Sequence, residues 1–248
     1  MITLSNVDID FPVYSSKSRG LLNTVLGYGR GEQSRIQSIA GGALTVSALR
    51  DINVSLRDGD RIGLVGRNGA GKTTLLRVMS GVYEPTKGHL DVNGNVSSLT
   101  DMFLGMDGDA TGYENIVMRA LFLGFPKSAA IALRADVEEF TELGEHLALP
   151  VRTYSSGMML RLGFAISTAL RPDILIMDEM IGAGDFHFRE RAQKRLDAML
   201  QDVKILVIAS HDAAVIRTFC NRAIWLDAGR IVLAGAVEEV LAAYHSAA

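Results

Sequence analysis

The sequence lacks several features typical of secreted, membrane-spanning or nucleic-acid-binding proteins. It has one cysteine, Cys220, so an internal disulfide is excluded and a reducing compartment is expected. The formal net charge of −3 argues against a broad nucleic-acid-binding surface, because phosphate backbones need a basic one. No apolar run approaches the roughly 18 residues that a membrane-spanning helix needs. The start, MITLSNVDIDF, has no basic segment, so we expect no secretory signal.

The apolar pattern predicts an α/β protein. Residues 2–11 alternate as a strand does, with a slip near Asn6 that predicts a β-bulge. The turn at Asp58-Gly59 precedes a strand at 61–65, and Asn93-Gly94 predicts a hairpin. Buried strands at 174–177 and 205–209 then alternate with helices at 158–170 and 188–201. This alternation is typical of a parallel core covered by helices.

Domain organisation follows from composition and length. At 248 residues, 48% of them hydrophobic, the chain can bury one complete core, and we assign residues 1–248 to a single domain. Residues 12–47 are rich in glycine and serine and are interpreted as an insertion in the first sheet. Residues 107–160 are interpreted as a helical lobe, whose two helical patterns are interrupted at 124–126. A last helix is predicted at 235–244.

A phosphate-binding loop follows the predicted strand at 61–65. It comprises Gly66, Arg67, Asn68, Gly69, Ala70, Gly71, Lys72, Thr73 and Thr74. The glycines let backbone N–H groups point at phosphate oxygens, and the N-terminus of the next helix adds partial positive charge. Lys72 then reaches the β- and γ-phosphates, and Thr73 places a hydroxyl on Mg²⁺. A mere glycine-rich turn is the alternative, but the strand, loop, Lys-Thr pair and helix all agree with a nucleotide site.

Two carboxylates end the buried strand at 174–177. Asp178, at the carboxyl end of a strand, suits Mg²⁺ through its water shell, and Glu179 can orient a water for attack on the γ-phosphate. By itself such a pair is often only a solvated strand end. Combined with the upstream P-loop, it is interpreted as a Walker B motif.

A second anion site is predicted at Tyr154, Ser155, Ser156 and Gly157. These residues open a helix, so backbone N–H groups and the Ser155 hydroxyl are available to an anion. Because the P-loop already holds the γ-phosphate of its own ATP, the second site is expected to face the ATP of another subunit. On local sequence alone, a simple serine N-cap is the simpler interpretation.

These motifs, in this order, resemble the ABC ATPase family. The family signature is usually written LSGGQ, and YSSGM at 154–158 keeps the serine and the second glycine. The resemblance implies a P-loop NTPase (RecA-like) core with an antiparallel β subdomain and a helical ABC-specific lobe. It implies that His211 contacts the γ-phosphate, that Asp185 crosses a homodimer interface, and that an aromatic residue, Phe11 or else Tyr14, stacks on adenine. The expected cofactors are ATP and Mg²⁺.

The linker that follows Asn93-Gly94 departs from the family pattern. The family usually has a glutamine there that touches Mg²⁺ and senses the membrane partner, whereas the nearest residue here is Asp101. A carboxylate can join the metal shell but cannot donate a hydrogen bond as an amide does. Four apolar neighbours, Met102, Phe103, Leu104 and Met106, are either core or the lining of a groove for a partner helix.

A narrower resemblance rests on SSLTDMFLGMDGDATGYENI at 97–116, YSSGM and IGAGD. These stretches are similar to the ATPase subunits of polysaccharide exporters. The resemblance implies two copies of this chain beneath two copies of a separate multi-spanning membrane subunit, at the cytoplasmic face of the inner membrane. The implied cargo is a lipid-linked glycan, with O-antigen expected and teichoic acid or capsule as alternatives. Many O-antigen members carry a C-terminal sugar-binding domain, and we expect none here.

Two other functions are weighed against transport. A soluble ABC ATPase of DNA repair or translation would need coiled-coil arms or a second cassette. A P-loop kinase would leave the YSSGM segment, Asp185 and His211 unexplained. No nucleic-acid partner is expected.

Overall fold

The computed structural model describes residues 1–13, 36–38, 44–178 and 186–247, with backbone only for 36–38 and 186. The chain divides into two compact units. The first comprises Met1–Asn93 and Ile208–Ala248, and the second comprises Gly94–Val207.

The described residues form ten strands, seven α-helices and two short 3-10 helices. The strands are β1 (Ile2–Val13), β2 (Ile36–Ser38), β3 (Leu44–Leu56), β4 (Arg61–Val65), β5 (Lys87–Val92), β6 (Val96–Ser98), β7 (Ile174–Asp178), β8 (Ile205–Ala209), β9 (Arg222–Asp227) and β10 (Arg230–Ala236). The α-helices are α1 (Lys72–Met79), α2 (Gly112–Phe122), α3 (Lys127–Thr141), α4 (Ser156–Ala169), α5 (Phe186–Asp202), α6 (Ala213–Phe219) and α7 (Val237–Ala247), and the 3-10 helices are Gly144–Ala148 and Val151–Thr153.

An antiparallel sheet with strand order β2-β3-β1-β5 lies in the first unit. The alternating residues of β1 are buried on one face, which matches their period of two. Asn6 adopts a φ of 50°, and the register between β1 and β3 shifts at this point. The predicted bulge near Asn6 is therefore confirmed.

The strand that leads into the P-loop also belongs to the first unit. β4 pairs in parallel with β9, and β9 pairs antiparallel with β10. Helix α7 covers these strands, burying Val240 and Leu241 together with Val65 and Ile216. The final residue of β4 is thus fixed by packing immediately before the loop begins.

The second unit contains the helical lobe and the strand that ends in Asp178. β6 and β7 pair in parallel, and the four residues of β7 before Asp178 are fully buried. Phe140, Phe164 and Phe188 pack with ring centroids 5.8 Å apart, which joins helices α3, α4 and α5. The division between the two units falls within β8.

The predicted α/β class, with an antiparallel sheet and a helical lobe, is confirmed. The lobe helices α2 and α3 are interrupted where expected, since Gly124 has a φ of 85° and α3 begins after Pro126. The hairpin predicted at Asn93-Gly94 is wrong. β5 pairs with β1 and β6 pairs with β7, so the turn links strands of two different sheets.

Of the predicted insertion at 12–47, residues 12–13, 36–38 and 44–47 fall within the described residues. Its ends extend strands β1 and β3, and 36–38 form β2 beside β3. Strands β9 and β10 had no counterpart in the sequence-based assignment, which passed from the strand at 205–209 to the last helix.

Candidate nucleotide-binding site

The P-loop connects the buried end of β4 to the first turn of α1. Gly66, Gly69 and Gly71 all have positive φ, at 152°, 77° and 111°. Such backbone angles are readily adopted only by glycine, so the loop conformation accounts for this residue type at all three positions. The N-cap of α1 is Gly71, which has no side chain with which to cap the first N–H groups of the helix. These groups suit an anion.

Lys72 lies over this loop. Its side chain is 8% exposed, and Nζ donates hydrogen bonds to the carbonyl oxygens of Gly66 at 2.7 Å and Arg67 at 3.3 Å. A buried ammonium needs partners that offset its desolvation, and phosphate oxygens would serve as the loop carbonyls do here. The lysine therefore lies where the sequence analysis expects a phosphate contact. Thr73, the next residue, is exposed in the first turn.

The loop is held from behind by strand β9 and the turn that follows it. A Cβ on Gly66 would lie 2.2 Å from the carbonyl oxygen of Leu226, and the N–H of Gly229 donates to the carbonyl of Ala70 at 2.8 Å. These contacts leave no room for a side chain at Gly66.

His211 lies just after the end of β8. This end of β8 is next to β4, the strand that leads into the P-loop. The N–H of Ser210 donates to the carbonyl of Leu64 at 3.3 Å, two residues before the P-loop begins. Ser210 Oγ in turn accepts from the N–H of Asp212 at 3.0 Å, and Asp212 caps α6. The exposed His211 is held between these two anchored residues. Its expected contact with a γ-phosphate stays a prediction.

Phe11, the aromatic favoured for adenine, is 36% exposed near the end of β1. Its ring packs edge-on against Tyr83, with centroids 5.4 Å apart. Tyr83 follows α1, and the guanidinium of Arg77 lies over its ring, 5.7 Å from the ring centroid. Phe11 is thus connected to the P-loop helix through Tyr83, a contact that sequence analysis missed. The alternative, Tyr14, lies outside the described residues.

Asp178 is the last residue of β7 and is partly exposed after four fully buried residues. A carboxylate at such a strand end is available to a hydrated cation, as the Walker B interpretation expects. Glu179 and Asp185 lie outside the described residues, so their roles stay predictions.

The predicted second anion site is located at the N-terminus of α4. Ser155 is the N-cap, and its Oγ accepts from the N–H of Met158 at 3.2 Å. Ser155, Ser156 and Gly157 are all exposed. Among the described residues, a Cβ on Gly157 would meet nothing closer than Ser155 Oγ at 3.9 Å, so packing within this part of the chain does not require glycine here.

The hydroxyl of Tyr154 is hydrogen-bonded within the lobe, and its predicted part in the anion site stays a prediction. The O–H donates to the carbonyl of His146 at 2.7 Å, and burial raises the pKa of the phenol. Tyr154 therefore anchors the start of α4 to the lobe.

Asp101 is partly buried in the turns after β6, and its negative charge acts on the guanidinium of Arg119 in α2. Burial lowers the pKa of Arg119 to about 10, and the charge of Asp101 opposes that shift. The sequence pattern did not single out Arg119, because one arginine in an amphipathic helix is usually solvated. The metal role assigned to Asp101 stays a prediction.

A glycine loop between a parallel strand and a helix, with a lysine folded over it, defines a P-loop nucleotide-binding protein. Comparison with protein families refines this class: residues 49–182 match the ABC transporter family. The O-antigen export system ATP-binding protein RfbE of Yersinia enterocolitica is 43% identical over 93% of this chain and 95% of its own length. The chain belongs to the ABC transporter family and is an ATPase of that family.

Two further relatives extend this comparison. The O-antigen export system ATP-binding protein RfbB of Myxococcus xanthus is 40% identical over 83% of this chain, which spans only 47% of that longer protein. The teichoic acids export ATP-binding protein TagH of Listeria monocytogenes serotype 4b (strain F2365) is 35% identical over 98% of this chain and 69% of its own.

Solved structures confirm the fold. A dimeric ATP-binding cassette in a post-hydrolysis state with ADP and phosphate superposes with a TM-score of 0.64 at 20% identity, covering 96% of this chain and 99% of the other. The ATP-binding subunit of an ABC transporter gives a TM-score of 0.67 at 16% identity, covering 99% and 93%. Within the described ranges, no helix has the length and apolar character needed to span a bilayer.

Proposed function

We propose that this chain is the ATP-hydrolysing subunit of an exporter that moves a lipid-linked polysaccharide, O-antigen in the first instance, across the inner membrane. The observation that carries the proposal is the similarity over nearly the whole chain to RfbE, which is named as an O-antigen export protein. The teichoic acids export proteins TagH are 35–40% identical, below the 43% of RfbE, but their cargo belongs to the same chemical class. The chain would act at the cytoplasmic face of the membrane.

ATP would bind with its phosphates on the P-loop and its adenine against Phe11. The N–H groups of the loop and of the first turn of α1, together with Lys72, would hold the β- and γ-phosphates. Glu179 would orient the attacking water, and His211 would contact the γ-phosphate. Each of these groups would stabilise charge at a fixed position, which is the main way in which proteins accelerate phosphoryl transfer.

The donor groups that the chain offers fit Mg²⁺. Thr73 supplies an exposed hydroxyl and Asp178 a partly exposed carboxylate, both hard oxygen ligands. Mg²⁺ bound with the nucleotide would neutralise charge on the β- and γ-phosphates. Thr73 would bind it directly, and Asp178 would bind through water.

Two copies would share their ATP sites. Ser155, Ser156 and Gly157 are exposed at a helix N-terminus, and no packing against the residues that the structure describes explains the glycine. A close approach by a phosphate from another subunit would explain both the exposure and the small residue. Asp185 would lie at the same interface between the copies.

A separate membrane subunit would dock on an apolar surface of the second unit. This linker patch comprises Phe103, Leu104, Met118, Leu121 and Phe122, which are between 38% and 56% exposed. The two parts of the patch are neighbours, since Gly105, next to Leu104, lies so close to Phe122 that an added Cβ would be 2.7 Å from its ring. Contiguous exposed apolar residues are typical of interaction sites, and an amphipathic helix from the partner suits them.

The sequence leaves two interpretations open for the four apolar linker residues, core or groove lining. Met102 and Met106 pack against the lobe core, whereas Phe103 and Leu104 are exposed. The proposed groove therefore includes the latter pair only.

The proposal is tested in cells in which the chromosomal copy is replaced by Glu179→Gln. ATP binding should persist while turnover is lost, because the water loses its base and the phosphate contacts remain. Lipid-linked glycan should then accumulate inside, with surface polysaccharide lost. The matched control is Glu190→Gln, on the exposed surface of α5, which should export normally. Normal surface polysaccharide in the Glu179→Gln strain, or a defect confined to a peptide or small solute, would contradict the proposal.

A further inference from the structure

Arg119 is a buried cation at the junction of three segments of the second unit. It belongs to α2, its side chain is 1% exposed, and it is one of the largest fully buried side chains in the described residues. Arginine is rarely buried to this extent unless its donors are engaged. Nη1 donates to the carbonyl of Leu104, and Nη2 donates to Ser167 Oγ at 3.2 Å.

These two acceptors lie on different segments. Leu104 is in the linker that follows β6, and it is exposed in the linker patch. Ser167 is near the end of α4, whose first turn carries Ser155. An α-helix rises about 1.5 Å per residue, so the twelve steps from Ser155 to Ser167 span roughly 18 Å of one continuous helix. A displacement at Ser167 would therefore reach Ser155.

A second hydrogen bond reinforces the junction. Ser97 Oγ, in β6 just before the linker, donates to the carbonyl of Ser167 at 3.1 Å, and both residues are at most 1% exposed. The linker and α4 are thus connected through Ser97 directly and through Arg119.

Only some of the hydrogen-bond donors of the guanidinium have acceptors, so its position is sensitive to neighbouring groups. Among the described residues, Nε of Arg119 has no hydrogen-bond partner. The negative charge of Asp101, in the same linker, stabilises the buried cation. An incompletely bonded buried charge depends strongly on the placement of its counter-ion.

We propose that Arg119 is a positioning residue that transmits the position of the linker to α4, with Asp101 as its counter-ion, and so connects the linker patch to the placement of Ser155. That a membrane partner moves the linker rests on the proposed function. The connection between the linker and α4 does not depend on the proposed function.

The connection is tested in the isolated full-length chain by a double-mutant cycle read by amide hydrogen exchange. Asp101→Asn should speed exchange in the first two turns of α4 by roughly tenfold, because the counter-ion of Arg119 is lost. In an Arg119→Met background the same substitution should change that exchange by less than about twofold. Equal effects of Asp101→Asn in both backgrounds would overturn the proposal. If Arg119→Met does not fold, Ser167→Ala replaces it under the same criterion.

A second measurement uses the chain reconstituted with its membrane subunit in vesicles. Arg119→Met should reduce the stimulation of ATP turnover by the partner roughly tenfold, while basal turnover and co-purification stay within about twofold of wild type. Arg119→Lys, which keeps the charge but not the two-pronged geometry, should restore part of the stimulation. Full stimulation of folded Arg119→Met would overturn the proposal. Absence of stimulation in the wild type would contradict the proposed function instead, and the exchange cycle would still decide the role of Arg119.

Discussion

Gly66 illustrates how a single residue type can be required by a contact distant in sequence. Its positive φ makes glycine favourable, but the carbonyl of Leu226, 2.2 Å from where a Cβ would lie, makes any other residue sterically incompatible. The P-loop is therefore shaped by β9 as well as by its own sequence. Gly69, in the same loop, has a positive φ, but beyond its chain neighbours no atom of the described residues lies within 4 Å of its hypothetical Cβ.

This difference leads to a prediction for two alanine variants. Gly66→Ala should weaken ATP binding by roughly ten- to a hundredfold, because overpacking typically costs about 1–3 kcal/mol and would displace the loop. Gly69→Ala should have the smaller effect, since it adds only the strain of its backbone angle, about 1–2 kcal/mol. Titration calorimetry with ATP, alongside thermal unfolding, measures both. Equal losses in the two variants would show that the contact with Leu226 does not shape the loop.

At the scale of single elements, the N-terminus of α4 has a capping role that the structure shows and an anion-binding role that we propose. Ser155 is a structural N-cap, as its hydrogen bond to the N–H of Met158 demonstrates. The proposed contact with a γ-phosphate would use the same hydroxyl and the adjacent exposed N–H groups. A substitution that preserves the cap but repels an anion distinguishes the two roles.

Ser155→Asp and Ser155→Asn form this matched pair. Asp, Asn and Ser are about equally good N-caps, so both variants should unfold within about 0.5 kcal/mol of wild type. Turnover should fall on the order of a hundredfold in Ser155→Asp, because a carboxylate repels the γ-phosphate. Ser155→Asn, which differs only in charge, should stay within about tenfold of wild type. Measurements of the ATPase rate and of urea unfolding separate the two roles of Ser155. Equal turnover in the two variants would show that Ser155 acts only as a cap.

At the scale of the whole molecule, the residues predicted to bind and hydrolyse ATP come from distant parts of the chain. The P-loop, Phe11 and His211 belong to the first unit, whereas Asp178 and Ser155 belong to the second. In the proposed dimer, the Ser155 segment of each copy would contact the ATP on the P-loop of the other copy. Each ATP site would therefore be completed by the partner. Isologous dimers of this kind make two equivalent sites.

Mixed dimers test this sharing. Lys72→Ala disables the P-loop of its own copy, and Ser155→Asp disables the segment given to the partner. Each variant alone should be inactive, while a one-to-one mixture should recover about a quarter of wild-type turnover if the sites are independent, since half of the dimers retain one intact site. The mixture is compared with the same two proteins assayed separately. No recovery in a mixture that light scattering shows to be dimeric would argue that each copy works alone.

Much of the fold was predictable because local patterns encode it. Strand β8 was predicted with its observed bounds, and α4 began within two residues of its prediction, because a continuous apolar run and a serine N-cap are short-range signals. The prediction of a hairpin at Asn93-Gly94 was wrong because strand pairing is not a short-range signal. An Asn-Gly turn specifies a local reversal of the chain, but not which strand each flanking segment will join.

The sequence by itself determined the phosphate-binding chemistry. A P-loop and a capped helix N-terminus act through backbone N–H groups, whose directions follow from a few consecutive residues. Tertiary structure alone decided that Phe11 meets Tyr83, that Met106 faces the core while Leu104 is exposed, and that Arg119 is buried between the linker and α4. These features depend on which segments pack together, and hydrophobic burial is non-directional, so no short stretch of sequence specifies its partner.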